Sequence, residues 1–465
     1  MNLLKRIYLL GLFCLALILC ACGGGGSSSS ESTSSTSNVP VTVSLTSSPT
    51  GATIGNSNVV ALYMDSGPGG NGSTNIIYAD VQVCLPSTSN CTVVNHVLVD
   101  TGSTGLRLLA SALPSSFLTG SSSLPQVLSG TSPVGECTTF VSGFTWGGIR
   151  RVDLHLGGSN YSGEIAANIP AQIIADPASQ LATIPLSCIQ AAGYTGSSTN
   201  QSAISTFETT HEMQTAAQLG ANGIIGIGLF KYDCGTNCAS TASYVYQQCA
   251  STSNCNSISL PVTSQPSNPI RSFTSDTNGS TIILPTLPSG YADKVSGLLV
   301  MGIGTQSNNA LASGSSVIGA LPYNFSRAGS FTATFNGSSN LRGSYFDSGT
   351  TWNYFPATGT INYPYCSGNT SYPLCPTSPT TQLATLSGTG GTAGTINVFT
   401  SNVTSILALD SSANAMQGLS GGDSTSATFN LVLGGSSFFG RSIATLIENQ
   451  TATGMGTGPA FGYTP

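Results

Sequence analysis

The chain has 465 residues, 40% of them hydrophobic and only 6% charged, with 56 Gly and 23 Pro. That mix excludes a helical bundle, which needs Ala, Leu, Glu, Lys and Arg, and a disordered chain, which needs high net charge and few apolar residues. Eleven basic residues against seventeen acidic ones exclude nucleic acid as a partner, and three scattered histidines (His96, His155 and His211) supply no His-based metal set.

In chain order, the first segment is a targeting signal. Lys5 and Arg6 precede the apolar run Ile7 to Leu19, which is short for a membrane-spanning helix. Leu19-Cys20-Ala21-Cys22 resembles the bacterial lipobox. The resemblance implies removal of residues 1–21 and a lipid on Cys22. Residues 22–39 then form a Gly/Ser-rich tether. Gly23 is not Asp, which by analogy with lipoprotein sorting favours the outer membrane. The expected location is the cell envelope, outside the cytoplasm.

From Val41 onward, short apolar or alternating runs are separated by Gly, Pro, Ser and Asn, which reads as strands. Examples are Val59–Tyr63, Ile76–Val83, Val93–Val99, Thr281–Leu284 and Leu298–Gly302. Helical patterns are few: Thr209–Leu219, Ala239–Gln248 and Ser442–Glu448. The expected fold class is all-β. Two lobes are expected, residues 40–285 and 286–465.

Ten cysteines remain beyond the signal and Cys22, an even count in an exported chain, which reads as disulfides. Short spacings suggest Cys84–Cys91 and Cys366–Cys375, leaving Cys137–Cys188 by elimination. Cys234, Cys238, Cys249 and Cys255 allow three pairings. Zinc is the competing reading of that cluster, but export and the lack of a nearby His favour oxidation. No metal and no cofactor are expected.

One internal repeat carries chemistry. His96-Val97-Leu98-Val99-Asp100-Thr101-Gly102-Ser103-Thr104 finds a counterpart in Ser344-Tyr345-Phe346-Asp347-Ser348-Gly349-Thr350-Thr351. Each copy is followed by two apolar residues and a Gly, at Ile224-Ile225-Gly226 and Val432-Leu433-Gly434. Two carboxyls brought together cannot both ionise cheaply, so they share a proton and their titrations split. The ionised one can accept a proton from water and the protonated one can donate to a carbonyl oxygen. Gly102 and Gly349 permit the tight turns, and Ser103 and Thr350 offer hydroxyls to the outer carboxylate oxygens.

On these motifs the chain resembles the pepsin-like, two-lobed aspartic proteases, and more closely an uncharacterised family of bacterial lipoproteins that share the pattern. The resemblance runs from about Asn58 to Phe461. It implies two β-lobes with a cleft between them, a dyad of Asp100 and Asp347, and support from Thr101, Gly102, Ser103, Ser348, Gly349 and Thr350. It also implies a flap over the cleft, placed here on Cys137 to Gly148 with its tip near Ser142–Trp146. Phe140, Ser142, Gly143, Trp146 and Arg107 are therefore flap or cleft candidates. Two departures stand out. The family's flap Tyr is replaced by Phe140, and its Trp seven residues after the first Asp is replaced by Arg107. Arg107 also reads as a buried arginine paired with an acid.

The expected function is a monomeric, membrane-tethered aspartic endopeptidase taking a peptide or protein in the interlobe cleft. The alternatives are a catalytically inactive pepsin-fold lipoprotein that binds a partner at the envelope, and an unrelated β-rich adhesin.

Overall fold

The computed structural model describes residues 41–465 apart from 71, 324–326, 368–372 and 424–429. The expected signal, the tether and Cys22 lie outside the described residues. Among those described, no helix is long and apolar enough to cross a membrane.

The chain is all-β and two-lobed. A sheet shared by both ends of the chain joins the lobes. In it, Lys294–Met301 pairs with Val59–Met64 on one side and Gly279–Ile283 on the other. Gly279–Ile283 continues to Ser442–Leu446, then Ala460–Tyr463 and Ser316–Gly319. The strand Thr42–Ser44 adds in parallel to Lys294–Ser296. The connection between 283 and 294 thus joins neighbouring strands of one sheet.

The same small structure occurs twice. In the first copy, strand Cys91–Asp100 ends on Asp100, turns, and returns as Thr104–Leu109. Gly223–Ile227 lies parallel to the first strand and antiparallel to the second, with Gly226 opposite Asp100 and Gly105. In the second copy, Ser338–Phe346 leads to Asp347, Val432–Leu433 runs parallel to Tyr345–Phe346, and Asn353–Pro356 returns antiparallel to it. Each Asp turn therefore wraps a short apolar strand that ends in Gly. A Cβ on Gly226 would sit 2.7 Å from the Thr104 nitrogen, and one on Gly434 would sit 2.0 Å from the Trp352 carbonyl oxygen. Both positions leave room only for hydrogen.

The approach strands are anchored because their inward residues are buried. Val97, Val99, Leu106, Ile225, Phe346, Leu433 and Phe461 belong to one apolar core that runs through both lobes. Each buried side chain of this kind contributes roughly 1.5–3 kcal/mol, so the two turns rest on a stiff floor.

Two of the helical expectations are corrected. Ser243–Ser251 is a strand, pinned by its hairpin partner Asn254–Ile258 and by pairing with Ser132–Thr139; the helix before it covers only Gly235–Ser240. Ser442–Leu446 is a strand between two others, buried along its whole length. In both, tertiary pairing overrides weak local preference. The third expectation, Thr209–Leu219, is split: one helix runs Gln201–His211, capped by the Asn200 side chain on the Ala203 N–H, and after an extended stretch a short one covers Ala216–Leu219.

Candidate active site

Asp100 and Asp347 are both buried, and their turns face each other. In the first, Asp100 Oδ1 accepts the Gly102 N–H at 2.7 Å and Oδ2 accepts the Ser103 hydroxyl. In the second, Asp347 Oδ1 accepts the N–H groups of Gly349 at 2.9 Å and Thr350 at 3.2 Å, and Oδ2 accepts the Thr350 hydroxyl at 2.7 Å. The closeness of the turns is visible at their glycines. A Cβ on Gly102 would stand 2.6 Å from Asp347 Oδ1, and a Cβ on Gly349 would stand 2.5 Å from Asp100 Oδ1. Each turn needs glycine because the other turn's carboxyl occupies the space.

The middle residues lock the turns together. The Thr101 N–H donates to Ser348 Oγ at 2.9 Å, and the Ser348 N–H donates to Thr101 Oγ1 at 3.0 Å. Each hydroxyl then donates onward across the interface, Ser348 Oγ to the Val99 carbonyl at 2.7 Å and Thr101 Oγ1 to the Phe346 carbonyl at 3.3 Å. Every donor and acceptor in this crossed pair is matched, which buried polar groups require. The lock fixes the distance between the two carboxyls.

That proximity sets the electrostatics. Burial first, and then the Asp100 charge, push the Asp347 carboxyl up to about 7, against the pull of the Thr350 hydroxyl and the Gly349 N–H. A hydrogen bond with Asp100 adds to the rise. Asp347 therefore holds the proton of the pair in acid and up to neutral pH.

The hairpin expected as the flap consists of Ser132–Thr139 and Phe144–Leu156, closed by the Phe140 N–H donating to the Gly143 carbonyl at 2.7 Å. It is held on both edges. Its first strand pairs with Ser243–Ser251, through Glu136 opposite Tyr246. Its second meets the segment after helix Gln201–His211, where the Met213 N–H donates to the Phe144 carbonyl at 2.8 Å. Cys137 is joined to Cys188 in helix Leu186–Ala191. Two insertions, one between the hairpin and Gly223 and one following Ile227, thus clamp it.

Comparison with known proteins gives three findings. The model of the family described as "Protein of unknown function (DUF3443)" matches residues 55–463. The chain belongs to this family. No curated protein matches. Among solved structures, the aspartic proteinase from Irpex lacteus aligns over 87% of this chain and 96% of its own, at 14% identity and a TM-score of 0.44.

The residues expected at the site separate into two groups. Asp100, Thr101, Gly102, Ser103, Asp347, Ser348, Gly349 and Thr350 come together as described. Phe140 and Gly143 sit at the hairpin turn, Phe140 packed beside Tyr78, Leu98, Ala221 and Ile224 and Gly143 against the His211 carbonyl. Ser142 is exposed at the tip, its hydroxyl 3.5 Å from Met213 Sδ. Trp146 does not line the cleft. Its ring is buried with Phe144, Leu181, Cys188 and Ile189, its Nε1–H donates to the Leu181 carbonyl at 2.9 Å, and Gly135 leaves it room. The apolar pocket made by the first insertion is where so large a ring is stabilised. Arg107 is 1% exposed and ion-paired to Glu136 at 3.0 Å and Asp233 at 3.3 Å, closed off from the surface.

The disulfides are Cys84–Cys91, Cys137–Cys188, Cys234–Cys238, Cys249–Cys255 and Cys366–Cys375. The undecided cluster pairs nearest neighbours. Cys249 and Cys255 sit opposite each other in a hairpin, while Cys234 and Cys238 flank the start of a helix.

Sequence reasoning missed Asn75 and Asn353. The Asn75 side chain donates to the carbonyls of Met416 at 2.8 Å and Thr351 at 3.3 Å, tying the first lobe to the second Asp turn. Asn353 Oδ1 accepts the Gly434 N–H at 3.1 Å and the Ser437 hydroxyl at 2.7 Å. Neither carries a sequence signal, since Asn is an ordinary turn residue.

Proposed function

We propose that the protein is an aspartic endopeptidase, with Asp100 as general base and Asp347 as general acid. The observation that supports this is the crossed lock that holds the two carboxyls of mirrored turns against each other, with a proton on Asp347. Water between the carboxyls gives a proton to Asp100 as its oxygen bonds to the peptide carbonyl carbon. Asp347 gives its proton to the carbonyl oxygen, forming a neutral tetrahedral diol. Asp100 then passes its proton to the amide nitrogen, and the C–N bond breaks. One hydroxyl proton returns to Asp347, so the products are a carboxylic acid and an amine and the dyad is restored. Neither metal nor covalent nucleophile takes part, and the substrate is a peptide or protein strand bound between the lobes.

The same reading places the enzyme at the cell envelope, as a monomer tethered by a lipid on Cys22, with the outer membrane favoured. Residues 40–285 and 286–465 serve as the two lobes of the cleft. A second reading, a binding protein on this fold, is favoured by one observation: the hairpin that should open for substrate is paired on both edges and disulfide-linked.

The test is hydrolysis of a mixed peptide library by the purified, disulfide-intact chain from acid to neutral pH. Asp100→Asn and Asp347→Asn serve as comparisons. Cleavage that falls as pH rises through about 7, and drops by about 10²–10⁴-fold or more in both variants, is expected. A folded parent that cleaves nothing at any pH leaves the binding reading.

A further inference from the structure

The geometry points to Arg107 as the residue that positions the flap, by joining the first catalytic turn to the flap strand. The inference rests on the endopeptidase reading only for its kinetic readout. Arg107 Nη1 donates to the Thr104 carbonyl at 2.7 Å and lies 3.5 Å from that of Gly105, at the close of the Asp100 turn. Thr104 follows Ser103, whose hydroxyl holds the outer oxygen of Asp100. On its other edges the same guanidinium reaches the flap strand, Nε to Thr138 Oγ1 at 3.0 Å and Nη2 to Glu136 Oε1 at 3.0 Å. Thr138 is two residues from Phe140, where the hairpin turns. The planar fork of an arginine fixes these directions at once, which a lysine cannot do.

The surroundings show how so buried a cation is held. Strand Thr104–Leu109 gives Arg107, the flap strand gives Glu136, the segment after Ile227 gives Asp233, and Ser243–Ser251 gives Tyr246. Tyr323 approaches from the second lobe, its hydroxyl donating to the Cys234 carbonyl. The Tyr246 hydroxyl donates to Asp233 Oδ1, and Nη2 of Arg107 lies 3.3 Å from Asp233 Oδ2. Glu136 Oε2 is buried and has no partner among the described residues. A proton on Asp233 supplies that partner. Burial, and then the Glu136 charge, hold Asp233 well above its ordinary value and keep the proton there. One cation, one carboxylate and one carboxylic acid make a neutral site, so the tie costs no unpaired charge.

The experiment uses the full chain with its disulfides. Thr138→Val removes the acceptor of the Nε–H and leaves the Arg107 contacts with Glu136 and Asp233, so the fold is kept. Arg107→Lys keeps the charge and removes the fork. Amide exchange over 138–144 should run roughly tenfold faster in Thr138→Val, the loss of one charge-assisted bond, and faster still in Arg107→Lys. Exchange at Val97–Asp100 should stay at the parent's rate. Where the parent hydrolyses peptides, kcat should fall roughly tenfold or more with KM little changed, because the flap acts on the transition state. A parent with no hydrolysis defeats the endopeptidase reading and leaves the exchange result to decide the role of Arg107. Unchanged exchange across 138–144 in folded Thr138→Val overturns the inference, whether or not Arg107→Lys folds. In an active enzyme, so does an unchanged kcat.

Discussion

Replacing Asp347 by Asn should make the protein more stable at neutral pH and less stable in acid. The parent's Asp347 carboxyl stands at about 7, raised from 3.8 by burial and by Asp100. Between those values the folded chain holds a proton that the unfolded chain has released, so stability falls as pH rises. The contribution is fully present below about pH 4 and is lost as pH passes through about 7. The whole interval corresponds to about 4 kcal/mol. Asparagine cannot ionise and escapes this loss. It has one side-chain oxygen where the carboxyl has two, and three donors compete for it: the N–H groups of Gly349 and Thr350 and the Thr350 hydroxyl. That shortfall costs about 1–2 kcal/mol. The variant should therefore be about 2–3 kcal/mol more stable than the parent near pH 8 and about 1–2 kcal/mol less stable near pH 3.5. Parallel denaturant titrations across this range, with disulfides intact, measure the difference. The two stability curves should cross. A difference that stays flat with pH would refute the claim that Asp347 is buried beside a negative Asp100.

Three further outcomes test other parts of the site. Gly349→Ala puts a methyl 2.5 Å from Asp100 Oδ1; the displacement should cost about 1–3 kcal/mol in urea unfolding and, where the chain hydrolyses peptides, lower kcat/KM by on the order of 10²-fold. Ser348→Ala leaves the buried Thr101 N–H without its acceptor and the Val99 carbonyl without its donor, a loss of about 1–3 kcal/mol in urea unfolding. Trp146→Ala should cost about 3–5 kcal/mol by the same assay, because its ring fills a core; a cost below about 1 kcal/mol would return Trp146 to the cleft surface.

Legibility in the sequence follows from how local each constraint is. The meeting of Asp100 and Asp347 was readable because each Asp carries its own hydrogen-bond donors within three residues, Gly102 and Ser103 in one copy and Gly349 and Thr350 in the other. The all-β class was readable because turn residues break the apolar runs at short intervals. Thr101 and Ser348 were readable as positions but not as a lock, since each finds its partner in the other half of the chain. Trp146 misled because its strand alternates like any other, and only the insertion carrying Leu181, Cys188 and Ile189 decides which face is covered. Ser442–Leu446 misled because five residues of mixed preference take their form from the strands on either side.

Arg107 shows how this chain uses a buried charge. A chain with 6% charged residues has little reason to bury them for stability, because removing an ion pair from water costs about as much as the pairing returns. Yet Arg107 is buried with Glu136 and Asp233, and Arg150 is buried against Asp176 through bonds of 2.6 and 2.8 Å. Arg150 also donates to the Leu124 carbonyl, and Asp176 accepts the Ala178 N–H that opens the first insertion. Both arginines lie where an inserted segment meets the hairpin or the strand after the first Asp turn. Apolar side chains of equal volume would hold these segments as firmly but in less defined positions. A fork of directed hydrogen bonds sets the angle as well as the contact. These two arginines are therefore placed where orientation matters, and at Arg107 the oriented element is the strand Ser132–Thr139, through Glu136 and Thr138.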